Sequence, residues 1–277
     1  MQYLLSTIAD IDYSQDAAHP VVFQRAATIA KAWGLGLELA EFCVTENIED
    51  RFDETLPRFE NNCQSSQLKV MHGPFFELYP HAIDPKVAQI AWERYDWSWN
   101  LCKKYQIDKL VCHPNFVKEI YYPEWFISRQ VDFWQRFLLR HSEGITICLE
   151  NVLEPDPSLI IDILQGVGDQ RLRMCLDTGH ANLTKIPPVE WLERCAPYIS
   201  HYHIHNNDGP LTDAVSSQGD LHQPPGRGSI DMKDFLRRAT ELTPNATATI
   251  ESVHLEESAR WLHENGFIRP APEHVLP

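Results

Sequence analysis

ICLEN at residues 147–151, CLDTGHANL at 175–183 and HYHIHNNDG at 201–209 set the fold class of this chain. Each is a short apolar run that stops on an acid or a histidine, and a segment long enough for a helix separates it from the next. Apolar runs of this length fit the strands of a parallel sheet buried on both faces, where neither side of a strand meets water. Working outward, the pattern recurs at Tyr3–Ile8, Leu37–Phe42, Lys69–His72, Lys109–His113, Ile145–Glu150, Leu172–Asp177, Ile199–His205 and Ala246–Glu251. Apolar spacing and end signals predict helices over His19–Trp33, Asp84–Tyr105, Glu124–His141, Asp231–Leu242 and Leu255–Asn265, with shorter ones over Ser158–Leu164 and Pro188–Cys195. Parallel neighbours need crossover connections, and eight strand–helix units close on themselves, so the pattern predicts an α/β fold, the (β/α)8 TIM barrel. A doubly wound open sheet would call for GxGxxG after an early strand, and none stands there. No linker or charge block divides the chain. It reads as a single domain over 1–277, with the proline-bearing stretch 269–277 as an extended C-terminal arm.

The 277 residues carry 39 Asp and Glu against 24 Lys and Arg, a net charge of −15, with 43% hydrophobic residues. This balance excludes disordered, collagenous and disulfide-scaffold classes. The acidity also opposes a nucleic-acid partner, which a basic surface would have to meet. The start MQYLLSTIAD has neither the charge nor the apolar length of a signal peptide, and no run of about 20 apolar residues suits a membrane span. Seven cysteines show no CxxC spacing, and Cys112, Cys148 and Cys175 sit inside apolar runs as small hydrophobes. A reduced cytoplasm is the expected compartment.

In a barrel the chemistry lies where the strands end. Here those ends are Glu41, His72 (VMHGPF), His113 (VCHPNF), Glu150, Asp177 with His180 following, His205, and Glu251 (TIESV). The loop after the seventh strand, GDLHQPPGRGSID, adds Asp220 and His222. A lone His after an apolar run is more often structural than a ligand. So many ionisable strand ends around one opening would instead repel one another, and their burial would be costly unless a cation sat among them. Imidazole with carboxylate suits a divalent ion: Zn, Mn, Co or Mg. On the seventh strand His201, His203 and His205 share one face by alternation. Only His205 is expected at the rim as a ligand, with His203 and His201 deeper, either supporting the ligands or in the core, the core reading being favoured for His201. Gly179 lets the chain bend and returns His180 to the rim. Asp220 and His222 form a two-residue clamp.

LDTGHA, HIHNND, DLHQPPGRGSID and ICLEN together resemble the xylose-isomerase-like barrel superfamily over roughly residues 68–252. That superfamily includes sugar and sugar-phosphate isomerases and epimerases, inosose dehydratases and apurinic endonucleases of the endonuclease IV type. The resemblance implies one divalent ion held by Glu150, Asp177, His205 and Glu251. The endonuclease branch holds up to three zinc ions, and the matching extra positions here are His72, His113, His180, Asp220 and His222.

Two activities are implied. In the first, a sugar or sugar-phosphate isomerase or epimerase, Glu150 and Glu251 pass a proton through an enediolate. His180 and Arg227 hold substrate oxygens, and Tyr79, Tyr121, Tyr122 and Trp125 are candidates to stack on a small carbohydrate. Dehydration of a keto-polyol is related chemistry. In the second, a zinc-dependent phosphodiester hydrolase, the full ligand set is used. The charge of −15 opposes a DNA substrate, since Lys86, Lys118, Arg129, Lys185 and Arg227 are scattered rather than clustered. A barrel that binds a polyol without turning it over is a third class. Whether the sugar is phosphorylated stays open at this point. Barrels of this type often pair, so a homodimer is compatible.

Overall fold

The computed structural model describes residues 1–12, 21–118, 120–142, 144–211 and 218–269. The predicted C-terminal arm, apart from Arg269, lies outside the described residues. In chain order the elements are β1 (Gln2–Ser6), β2 (Ile11–Asp12), β3 (Val21–Val22), α1 (Arg25–Trp33), β4 (Gly36–Leu39), α2 (Glu46–Glu49), α3 (Phe52–Ser65) and β5 (Lys69–His72). There follow α4 (Pro85–Tyr105), β6 (Lys109–Cys112), α5 (Pro123–Arg140), β7 (Thr146–Glu150), α6 (Ser158–Val167) and β8 (Leu172–Asp177). The chain continues with α7 (Thr178–Asn182), α8 (Pro188–Cys195), β9 (Ile199–Ile204), α9 (Met232–Leu242), β10 (Thr247–Ile250) and α10 (Leu255–Glu264).

Eight of the strands form a closed parallel barrel in the order β1-β10-β9-β8-β7-β6-β5-β4, with β1 completing the ring against both β10 and β4. The chain folds as the (β/α)8 barrel that its sequence predicts. Strand alternation sorts the side chains. Leu5, Leu37, Met71, Leu110, Ile147, Leu149, Leu176, Tyr202 and Ile250 point outward into the main core under the helices. Leu4, Val70, Val111, Cys148 and Cys175 form a separate apolar cluster that plugs the barrel interior. The next inward positions toward the strand ends are polar, and they carry the site. All seven cysteines are buried and free. Among the described residues, no helix is long and apolar enough to cross a membrane.

Three departures from the predicted elements have local causes. The first helix begins at Arg25 rather than His19, because Val21–Val22 pairs antiparallel with Ile11–Asp12. The new start is capped from a distance: Asp10 Oδ1 accepts from Arg25 N at 2.9 Å, and Oδ2 accepts from Ala26 N at 3.1 Å. Between residues 43 and 68, where no helix was expected, α2 and α3 occur. α3 holds Pro57 in its interior, a residue that sequence rules treat as a breaker. The second strand stops at Leu39, so Glu41 lies beyond it. The Asp84–Pro85 start behaves as predicted, with the Asp84 side chain accepting from Lys86 N at 2.8 Å.

Candidate metal and active site

The carboxyl ends of the strands open into a cavity of about 450 Å³. Its centre is Glu150, at the end of β7 and ringed by four histidines. Oε2 lies 3.1 Å from His113 Nε2, 3.4 Å from His72 Nε2 and 3.1 Å from His203 Nδ1; Oε1 lies 3.2 Å from His180 Nδ1. Burial favours the neutral acid, but His203 and His113 outweigh it and hold the Glu150 carboxyl well below the usual carboxylate range.

Asp177 ends β8 and caps the short α7, its Oδ1 accepting from His180 N at 2.7 Å. Its Oδ2 pairs with His205 Nε2 at 3.0 Å. The ends of β7 and β8 are tied reciprocally: Asn151 Oδ1 accepts from Asp177 N at 2.9 Å, and Asn151 Nδ2 donates to Asp177 O at 3.0 Å. Gly179 is required for packing. A Cβ there would lie 1.9 Å from His205 Cε1, so only glycine lets the imidazole occupy its place.

The loop after β9 is folded back by a two-way backbone bridge between Asn206 and Gln223, 2.9 Å in each direction. This brings Asp220 Oδ2 to 3.2 Å from His180 Nε2 and 3.1 Å from His222 Nε2. The His222 ring stacks on His205 at 3.9 Å. Burial works against a charged His222, yet its bond to Asp220 pushes its pKa up to about 9. Three cavity-lining residues other than glycine hold positive φ, namely Glu77 at 58°, Asn115 at 57° and His222 at 44°. Strained backbone of this kind gathers where side-chain placement matters more than stability.

The expected order of depth on β9 holds. His203 lies below His205, but it is in contact with the predicted ligands rather than in the apolar core. Its Nδ1 lies 3.1 Å from Glu150 Oε2, 3.6 Å from Glu251 Oε2 and 3.9 Å from Asp177 Oδ2, in the midst of the predicted ligands. His201 is deeper, as expected. Both rings rest on a residue that sequence reasoning missed, Glu38 of β4. It is fully buried and meets His203 Nε2 at 3.0 Å, His201 Nε2 at 2.8 Å and Thr249 Oγ1 at 2.6 Å. Burial opposes charge on Glu38, but His203 and His201 hold its carboxyl well below the usual range. The available signal was an acid between two leucines in the GLEL run, which alternation turns into the barrel.

The donor set fits a divalent cation. Nitrogen and carboxylate oxygen atoms converge in several groups: His72, His113 and Glu150; Glu150, Asp177 and His203; Glu38, His72, His203 and Glu251; and His180, His205, Asp220 and His222. Within them, His203 Nδ1, His205 Nδ1, Asp220 Oδ1 and Glu251 Oε1 are buried without a hydrogen-bond partner. Orphaned donors and acceptors of this kind call for a bound group. Burial raises the pKa of Glu251; His203 opposes this, and the charges of Glu150 and Glu38 add to the rise. A cation relieves the same repulsion.

Not every predicted contact converges here. Arg227 does not line the cavity: its side chain is 55% exposed and pairs with Glu257 through two bonds of 2.8 and 2.6 Å. Tyr79 lines the cavity, but Tyr121 and Trp125 stack on each other at 5.3 Å beside His81, and Tyr122 is exposed at the start of α5. Lys86, Lys118 and Lys185 are exposed, and Arg129 donates to Ala82 O at 3.1 Å.

Comparisons with known proteins agree with this architecture. Over 202 residues the chain is 24% identical to an uncharacterized protein of Methanocaldococcus jannaschii, and a second such protein is 27% identical over 192 residues. The chain covers 66% and 65% of the length of these relatives. Among solved structures it is similar to a D-tagatose 3-epimerase-like protein, with a TM-score of 0.71 at 20% identity over 96% of this chain and 97% of the other. It is also similar to the IolI protein with a bound zinc atom, with a TM-score of 0.70 at 15% identity and 96% of each chain covered. A third likeness is to the probable 3-DHS dehydratase AsbF of Bacillus anthracis, at 0.66 and 16% identity over 95% of this chain and 98% of that one. At these identities the likeness concerns the fold. The xylose isomerase-like TIM barrel family model matches residues 29–270, and the chain belongs to that family.

Proposed function

We propose that this chain is a divalent-metal-dependent isomerase or epimerase of ketoses that moves a proton between Glu150 and Glu251. One observation carries the reading. These two buried carboxylates come from the end of β7 and from just beyond β10, with β8 and β9 between them in the ring, yet both meet His203 Nδ1, at 3.1 and 3.6 Å, over one cavity. Glu150, Asp177, His205 and Glu251 would hold the ion, which when bound supplies electrophilic polarisation of the substrate carbonyl. The remaining steps belong to the chain. One glutamate takes the proton from the carbon beside the carbonyl, leaving an enediolate, and the other returns a proton to the same or the neighbouring carbon. His180 Nδ1 is fixed by Asn151 O at 2.9 Å, so a substrate hydroxyl held by this ring would take the place of Asp220 on Nε2, 3.2 Å away. The epimerase-like and IolI likenesses support this reading, and the dehydratase likeness supports related loss of water from a keto-polyol.

Incubating the metal-loaded protein with ketoses in deuterated water should wash deuterium into a carbon-bound position. Glu251→Gln should lower that exchange by about 10²–10⁴-fold, the usual contribution of a positioned general acid or base, while leaving the circular dichroism spectrum unchanged. Exchange that survives this substitution rules out the two-glutamate mechanism.

A second reading, hydrolysis of a phosphate ester by more than one ion, is favoured by the two flanking groups of ligands, His72 with His113 and Glu150, and His180 with His205, Asp220 and His222. Metal content by mass spectrometry separates the two. One ion per chain supports the isomerase, whereas two or three zinc ions support the hydrolase.

A further inference from the structure

The cavity has two unlike sides. One is the histidine and carboxylate floor described above. The other is a wall built from Ile8, Phe75, Phe76, Val152, Leu153 and Leu183. Phe75 packs on His113 with ring centroids 4.7 Å apart, so the apolar wall begins directly at the ligands. Of the polar groups beside that wall, Asn115 is already engaged: its Nδ2 donates to Phe75 O at 2.9 Å and to Leu78 O at 2.6 Å.

Among the described residues, no Lys or Arg lines the cavity, whereas Glu77, Glu150, Asp220 and Glu251 do, and the imidazoles His180 and His222 are already paired with Asp220. Residues 13–20, 119, 143, 212–217 and 270–277 contain no Lys or Arg either, so no undescribed residue adds a guanidinium or ammonium group. Arg227, the cation expected to reach substrate, is committed to Glu257 outside the cavity.

A phosphate ester is held by several charge-assisted donors, most often Arg and Lys. Away from the histidine and carboxylate floor, the cavity offers a phosphate dianion the Tyr79 side chain as a polar neighbour, set against an apolar wall and the Glu77 carboxylate. Both oppose it, the wall through desolvation and the acid through like charge. An uncharged carbon chain suits the wall, since C–H faces pack on Phe75, Phe76 and Leu153 while the carbonyl end meets the floor.

We infer that the substrate is an uncharged keto-sugar or keto-polyol, and that phosphate esters of the same skeleton are excluded. This rests on the isomerase reading of the same cavity, and it narrows that reading to free rather than phosphorylated ligands.

The test uses matched pairs: D-fructose and D-tagatose with their 6-phosphates, and D-ribulose with its 5-phosphate. Binding to zinc- or manganese-loaded protein is followed by calorimetry, and proton exchange by NMR in deuterated water. Each free ketose should bind at least about tenfold more tightly than its phosphate, the equivalent of one missing charge-assisted contact. Phe76→Lys, at a side chain 59% exposed at the cavity mouth, should raise the phosphate-to-free affinity ratio by about tenfold or more.

Phosphates that bind the wild type as tightly as the free sugars overturn the inference. So does a ratio that Phe76→Lys leaves unmoved, because the far end of the ligand then does not lie on this wall. Preferential binding of free ketoses without exchange upholds the ligand class and sinks the proposed reaction. Failure of every ketose to bind at tens of millimolar overturns both.

Discussion

Two buried histidines, His203 on β9 and His81 between β5 and α4, show what separates a functional imidazole from a structural one. Each has one ring nitrogen in a hydrogen bond and one buried nitrogen without a partner. His203 donates from Nε2 to Glu38 and turns Nδ1 toward Glu150, Glu251 and Asp177. His81 Nδ1 instead accepts from Gln130 Nε2 at 3.2 Å, and its ring lies against Tyr121 and Phe126 at 4.4 and 4.8 Å. Burial, with Arg129 adding to it, pushes His81 down to about 4, so it remains neutral at physiological pH. An orphaned nitrogen alone therefore marks no site. Carboxylates converging on it do.

The strongest way to break this contrast is to remove the carboxylate under His203. Glu38→Gln should lower metal affinity by about 10–100-fold, as loss of an orienting partner behind a ligand generally does. It should also cost about 3–5 kcal/mol of metal-free stability, because it breaks a buried ion pair. Competition with a zinc chelator and urea denaturation read the two effects separately. Unchanged affinity would show that Glu38 has only a packing role.

Next in size is Gly179→Ala, which drives a methyl into His205. Overpacking of this severity should reach the upper end of about 1–3 kcal/mol and reduce metal content, since His205 must leave Asp177 to make room. A variant with full metal content and an unchanged urea midpoint would show that the ring has space to yield.

His81 sharpens the other half of the comparison. Its folded pKa lies near 4 against about 6.5 in the unfolded chain. Below pH 6.5 the unfolded chain binds a proton that the folded one refuses. Stability therefore falls as pH drops from 6.5 toward 4 and is unaffected by this group above 6.5. The contribution lost between pH 7 and pH 5 is about 2 kcal/mol, and His81→Leu should remove that part of the pH dependence without altering metal affinity. A slope identical in wild type and variant would place the pH sensitivity elsewhere.

The smallest effect is expected at Arg227. Its pair with Glu257 is solvent-exposed, so Arg227→Ala should change stability by less than about 1 kcal/mol and ketose exchange by less than about threefold. A large loss of exchange would return Arg227 to the substrate site.

Much of the candidate site was legible in linear form because a (β/α)8 barrel puts chemistry at strand ends. Glu150, Asp177 and His72 terminate their strands, and the cavity is lined by His72, His113, Glu150, His180, Asp220, His222 and Glu251. Alternation correctly gave His201 and His203 one face, but it does not report height along the barrel axis. That height follows from the pairing of Asp177 with His203 across β8 and β9, a register the chain alone does not announce. Arg227 misled for a related reason. A cation next to a ligand loop can turn either way, and the packing of α10 set Glu257 where it captures the guanidinium.

The sequence by itself determined the barrel, the alternation of inward and outward side chains and the clustering of ionisable residues at one rim, since all three follow from local periodicity and strand order. Tertiary structure alone decided that Glu38 supports His203, that Asp10 caps a helix fifteen residues away, and that the cavity wall beside the histidines is apolar, with no Lys or Arg lining it among the described residues. Each of these depends on which distant residues share a neighbourhood. Closure of the sheet fixes those neighbourhoods, and no local pattern encodes them.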